Sequence, residues 1–258
     1  MDFTLSIYKQ LLATLRAQGF TFQSFAAFIQ VPANRVIILR HDVDRLPGNA
    51  LKMARIEHDL NIPASYYFRA VPESWDEAII RQIAGLGHEI GYHYENLSAC
   101  KGDPCRAWED FQANLARLRV LAPVTTICMH GSPMSRIDNL DLWQTYDYKT
   151  LGIVGESYLN VDFTKVFYLT DTGRRWNHTG ASIRDRVDSG FDIQVKNTGH
   201  LITLAREGRL PDMIMINTHP QRWNDHGWPW TKELVGQSIK NIVKRAVVGW
   251  RMTVGRGR

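Results

Sequence analysis

Cysteine is scarce in this chain: Cys100, Cys105 and Cys128 are the only three in 258 residues, and no two stand in a CxxC spacing. An odd set so spaced argues against a disulfide framework or a structural zinc site, and it suits a reducing compartment. No run of eighteen apolar residues is present to span a bilayer, and no low-complexity stretch divides the chain. One sign of charge dominates nowhere except near the basic C-terminal end. The formal net charge is only +5, and the Lys and Arg residues are scattered, which suits anionic substrates or surfaces more than nucleic acid. The opening MDFTLSIYKQLLATLRAQGF places Asp2 where a secretory leader carries positive charge and spaces its apolar residues along one helix face. These absences lead us to expect a cytoplasmic protein.

What is present is an alternation of strand-like and helix-like segments. VIIL at 36–39 is a short β-branched run of the kind buried on both faces of a sheet. After Pro47, GNALKMARIEHDL carries Ala50, Met53, Ala54, Ile56 and Leu60 at helical spacing. The unit repeats as ASYYFRA then WDEAIIRQIAGL, and as HEIGYH then CRAWEDFQANLARLRVL. TTICMH, LGIVGES and VFYLT read as further strands, Thr198 to Glu207 as a helix, and DMIMINTH as the last strand. Such alternation predicts an α/β fold with a parallel sheet, open or closed into a barrel, in one domain over residues 1–258.

In parallel α/β folds the functional face is built from the loops after the strand C-termini. Four such ends carry Asp or His: HDVD at 41–44, YHYEN at 92–96, MHGSP at 129–133 and THPQ at 218–221. Alternation along a strand puts Arg40, Asp42 and Asp44 on one face and turns His41 and Val43 the other way. Two neighbouring carboxylates are costly unless a cation neutralises them, so one can hold a metal while the other takes a proton from water. The competing reading is structural: an Asp-rich strand end often serves as a turn or as the N-cap of the helix that Pro47 opens.

Together RHDVD, GHEIGYH and a late apolar strand ending in INTHP resemble the polysaccharide deacetylases, the NodB-homology family or family 4 carbohydrate esterases, over roughly residues 35 to 225. The resemblance implies a distorted (β/α)7 barrel of the NodB type, with additional N- and C-terminal helices, and metal-dependent removal of an N-acetyl or similar acyl group from a sugar. It implies Asp42 as general base, Asp44 and His93 as ligands of a divalent metal, zinc by preference, and His219 as general acid. The family carries a second histidine four residues after the first, where this chain has Leu97. The third ligand then comes from elsewhere: His130 is favoured, with Glu95 and Asn96 as alternatives. The Arg-x-Pro motif usual after that strand is replaced by HGSP, which leaves His130 a second role, orienting Asp42. His88, at the far end of its strand from His93, is assigned to structure.

In DTGRRWNHTG, Arg174, Arg175 and Trp176 suit an acidic sugar, through guanidinium forks and an indole face, and equally suit an ordinary surface turn. QRWNDHGWPW at 221–230 either rims the cavity or covers the barrel end. Residues 232–258 read as a basic amphipathic helix that packs on the core or makes peripheral contact with an anionic membrane. The resulting expectation is a cytoplasmic enzyme, at the inner face of the membrane, acting on an anionic or lipid-linked precursor in surface polysaccharide or O-antigen synthesis. Two alternatives stand beside it: an inactive sugar-binding relative, and a nucleotide-sugar glycosyltransferase in which Asp42-Val-Asp44 is a DxD motif.

Overall fold

The structure, a computed structural model, describes residues 1–131, 135–176, 187, 190–225 and 227. Eight strands form one sheet in which every pairing is parallel. They are β1 (Thr21–Gln23), β2 (Val36–Val43), β3 (Ser65–Phe68), β4 (Glu89–Tyr94), β5 (Thr126–Met129), β6 (Gly155–Glu156), β7 (Phe167–Thr170) and β8 (Met213–Thr218). The order β6-β5-β4-β3-β2-β8-β7 is that of a seven-stranded sequential barrel opened between β6 and β7. The short β1 pairs with Val36 to Ile38 of β2, on the edge that β3 occupies farther along, from Arg40 to Val43.

The sheet is strongly curled. β5 and β2 are three positions apart, about 14 Å in a flat sheet, yet Cys128 Sγ of β5 lies 3.8 Å from Asp42 Oδ1 of β2. The concave face is filled by Val36, Ile38, Tyr67, Cys128, Tyr168 and Met215, with Phe25 and Phe28 closing in on them. On the convex face Ile37, Leu39, Tyr66, Ile90 and Ile127 pack under the helices. A glycine is required at position 91, where an added Cβ would meet the Tyr67 ring at 2.3 Å. The Gly in GHEIGYH is therefore a packing requirement of the barrel interior.

Helices α1 (Leu5–Ala17), α2 (Phe25–Gln30), α3 (Pro47–Asp59), α4 (Glu77–Gly85), α5 (Asn96–Ala99), α6 (Pro104–Arg119) and α7 (Thr198–Arg206) connect and cover the strands. Local chemistry starts several of them: Thr4, Asp76, Asp103 and Asn197 each accept a backbone N–H as N-cap. LGIVGES is the main departure from the expected strands, since only Gly155–Glu156 pairs. A 3-10 turn over Tyr148–Leu151, ended by Gly152 at φ 71°, takes up its first residues. The expected C-terminal helix at 232–258 lies outside the described residues, as do His226, Trp228 and Trp230. Among the described residues no helix is long and apolar enough to cross a membrane.

Candidate metal centre

The site gathers at the C-terminal ends of the strands. Asp44 follows β2, His93 is the penultimate residue of β4, and His130 follows β5. Asp44 Oδ1 lies 3.6 Å from His93 Nε2 and 3.6 Å from His130 Nε2. Those separations are too long for hydrogen bonds. They match donors sharing one ion, which stand about 3.4 Å apart around a tetrahedral centre with bonds near 2.1 Å. Among the described residues Oδ1 is buried without a hydrogen-bond partner, although 22% of the Asp44 side chain remains open.

The other ring nitrogens are committed. His93 Nδ1 is 2.9 Å from the Cys128 carbonyl oxygen, and His130 Nδ1 is 2.8 Å from Glu95 Oε2. With Nδ1–H donated, each Nε2 presents a lone pair toward Asp44. Glu95 in turn accepts from Arg69 through Oε1. Burial pushes its carboxyl up, but the hydrogen bond from His130 and the charge of Arg69 prevail and hold it at about 2. Both Glu95 oxygens are thus occupied, which places this residue behind His130 as its orienting partner. Leu97 is buried against Ala107 and Leu142.

Asp42 is tied differently. Arg40, two residues earlier on the same strand, grips it with Nε on Oδ1 at 2.9 Å and Nη2 on Oδ2 at 2.7 Å, and Asn217 Nδ2 adds a third hydrogen bond at 3.0 Å. Burial would raise its pKa, but the Arg40 guanidinium and the nearby imidazole of His93 hold it far below the usual carboxylate range. Arg40 itself is fully buried and also donates to the Tyr158 hydroxyl at 2.9 Å. It therefore occupies the place that sequence reasoning offered to His130. Asp42, His93 and Cys128 also lie close enough to form a ligand set. A cation is disfavoured there, because the Asp42 oxygens are already taken by a guanidinium and an amide. Neither aspartate caps α3, whose N-cap is Leu46 with no side-chain hydrogen bond. The structural reading of HDVD as a helix cap accordingly does not hold.

His219, just past β8, turns Nε2 to within 3.9 Å of Asp44 Oδ2. Its Nδ1 is 2.7 Å from Asp171 Oδ1. The buried Asp171 carboxylate also accepts from Arg222 Nη1 at 2.5 Å and from Trp223 Nε1 at 2.8 Å. Burial and Arg222 push the His219 pKa down, but Asp171 outweighs them, so the ring is held above its ordinary value. Sequence reading missed Asp171, although it follows the apolar run VFYLT and so obeys the strand-end pattern of the other four.

Of the three residues expected to bind substrate, two are buried and one is exposed. Trp176 is 3% exposed, with Phe3 stacked on it at 6.1 Å and Nε1 bonded to Thr198 Oγ1, so its face is not free for a sugar. Arg174 is buried, has left-handed backbone at φ 57°, and donates Nη1–H to the Arg222 carbonyl. Arg175 is exposed.

No family model and no curated protein matches the chain. Among solved structures, a family 4 carbohydrate esterase pseudoenzyme from Bacillus anthracis is similar at 9% identity and a TM-score of 0.44, over 83% of this chain and 62% of that one. The family 4 carbohydrate esterase domain of a multidomain xylanase from the hindgut metagenome of Trinervitermes trinervoides gives 11% and 0.41, covering 83% and 85% of the two chains. A family 4 carbohydrate esterase from Bacillus anthracis gives 11% and 0.40, over 93% and 88%. These three are esterases, or a relative of them, of the family that the sequence motifs resemble. Likenesses this distant do not fix chemistry, which has to be judged from the site itself.

Proposed function

We propose that the protein is a metal-dependent hydrolase that removes an N-acetyl or similar acyl group from a sugar. The observation that carries this reading is the convergence of Asp44 Oδ1 with His93 Nε2 and His130 Nε2, each imidazole oriented by its other nitrogen. Two imidazoles and a carboxylate suit zinc, and an orphaned buried carboxylate oxygen is what a cation would satisfy. When bound there, a divalent cation supplies positive charge that polarises a carbonyl oxygen and acidifies water.

The chain's own groups then divide the proton work. Arg40 keeps Asp42 ionised and weakly basic, so Asp42 accepts a proton only from an acidified water. That makes its action conditional on the cation beside it. His219, whose pKa Asp171 raises, gives its Nε2 proton to the leaving nitrogen. Two acids with different partners thereby take opposite roles. A sugar precursor of surface polysaccharide is the substrate we infer, supported by the resemblance of RHDVD, GHEIGYH and INTHP to the deacetylases.

The test is to strip the protein with chelator, reload it with Zn²⁺ and measure acetate released from N-acetylated oligosaccharides. Release that returns only with the ion is expected. An ion taken up stoichiometrically with no release from any acylated sugar would instead favour a sugar-binding relative without catalysis. Failure to take up an ion at all would overturn the reading.

A further inference from the structure

The two oxygens of Asp44 meet unlike surroundings. Oδ1 lies buried between the two imidazoles without a hydrogen bond, whereas Oδ2 accepts Nε2–H of Gln221 at 3.1 Å. Among the described residues this is the one hydrogen bond that the Asp44 side chain receives. Gln221 is buried in the 3-10 turn Pro220–Arg222, directly after His219, and the turn is closed by Arg222 N–H donating to the His219 carbonyl at 2.9 Å. Among the described residues its Oε1 has no partner. The amide is nonetheless turned the favourable way, because the opposite orientation would set a carbonyl oxygen against a carboxylate. A carboxylate with both oxygens free can close on a cation through both, while one with an oxygen already engaged offers a single donor.

We propose that Gln221 is a positioning residue for Asp44. By holding Oδ2 it aims Oδ1 at His93 and His130 and makes Asp44 a one-oxygen ligand, so that a three-donor site keeps room for water and for the substrate carbonyl. The inference rests on the cation reading above and adds to it a residue that neither the strand-end pattern nor the ligand chemistry singles out. Gln221 lies beside the site without being a donor to the ion.

Co²⁺ titrated into the full-length chain separates the two claims, since its visible bands are intense in four-coordinate sites and weak when more donors bind. The wild type should give intense bands. In Gln221→Leu, Oδ2 is released to join the ion, and in Gln221→Glu the new carboxylate adds a donor; both should give weakened bands. Glu keeps the size of Gln while trading the N–H that engages Oδ2 for a charged acceptor, so that variant carries the test if the Leu variant does not fold, with circular dichroism and melting as the check. Turnover of an N-acetylated sugar should fall about 10–100-fold in both, as for other residues that orient a ligand, with KM little changed. Unaltered Co²⁺ bands in both variants would overturn the role of Gln221 and leave the cation site standing. No Co²⁺ uptake by the wild type would overturn the cation site itself.

Discussion

Strand β2 faces a cluster of acids and imidazoles on each of its two sides, and the two clusters behave differently. On the convex side His41 turns Nε2 to Glu57 Oε1 at 2.9 Å and Nδ1 to Thr218 Oγ1 at 2.6 Å. Glu57 also accepts from the hydroxyls of Tyr8 and Tyr66, at 2.5 and 2.7 Å, and is wholly buried. On the concave side Asp44 keeps an unpartnered oxygen and a partly open side chain. Both clusters hold a carboxylate and two histidines, for His88 lies 3.8 Å from Glu57. Residue type alone does not separate a cluster closed on itself from one that keeps an open donor. The difference lies in the carboxylates: both Glu57 oxygens accept a tyrosine hydroxyl, which ties α1, α3 and β3 together, although His41 Nε2 and His88 Nδ1 make no hydrogen bond among the described residues, while Asp44 is left one donor short of a closed network.

The comparison can be broken most forcefully at Asp42. Asp42→Asn should lower acetate release by about 10²–10⁴-fold, the range for a general base, while metal content measured by mass spectrometry stays at the wild-type level. Retained activity would remove Asp42 from the chemistry and reduce the concave cluster to a binding site.

Trp176 sharpens the boundary between the site and its support. Trp176→Ala should destabilise the fold by about 3–5 kcal/mol in denaturant unfolding, as for a buried aromatic, and should leave the KM for sugar unchanged in protein that remains folded. A raised KM with unchanged stability would return Trp176 to the substrate.

Glu57→Gln tests the convex side, with an expected loss of about 1–3 kcal/mol from groups left unsatisfied and no change in metal affinity. Burial raises the Glu57 carboxyl, but the charges of His41 and His88 and the Tyr8 hydroxyl outweigh it, so the folded value lies below the ordinary one. Its contribution is therefore complete above the unfolded value of about 4.3 and is lost as pH falls through the folded value. The wild type should lose stability in acid more steeply than Glu57→Gln, as read from melting at pH 3 to 6. Smallest of all, Arg175→Ala should change stability by less than about 0.5 kcal/mol and leave KM unaltered. A clear rise in KM would give this exposed arginine a part in binding.

Much of the fold was legible. The alternating segments located the helices α3, α4, α6 and α7 and the strands β2, β3, β4, β5, β7 and β8 to within a few residues, because each buries a face whose period shows in the side chains. β1 and the 3-10 turns were not, since three paired residues or one turn leave no period to read. In the site, the positions Asp42, Asp44, His93, His130 and His219 could be singled out because each ends an apolar run. Arg40 was seen to share the face of Asp42, yet nothing local indicated that it would close two hydrogen bonds on that carboxylate.

The sequence by itself determined which residue types stand at the strand ends, and alternation along β2 determined which of them look inward. Only the tertiary structure decided their partners: that Glu95 backs His130, that Asp171 backs His219, that Gln221 holds one oxygen of Asp44, and that Trp176 is spent on packing. The reason is that periodicity is a property of one segment, whereas a partner is chosen by the curl of the sheet, which brings together residues far apart in the chain.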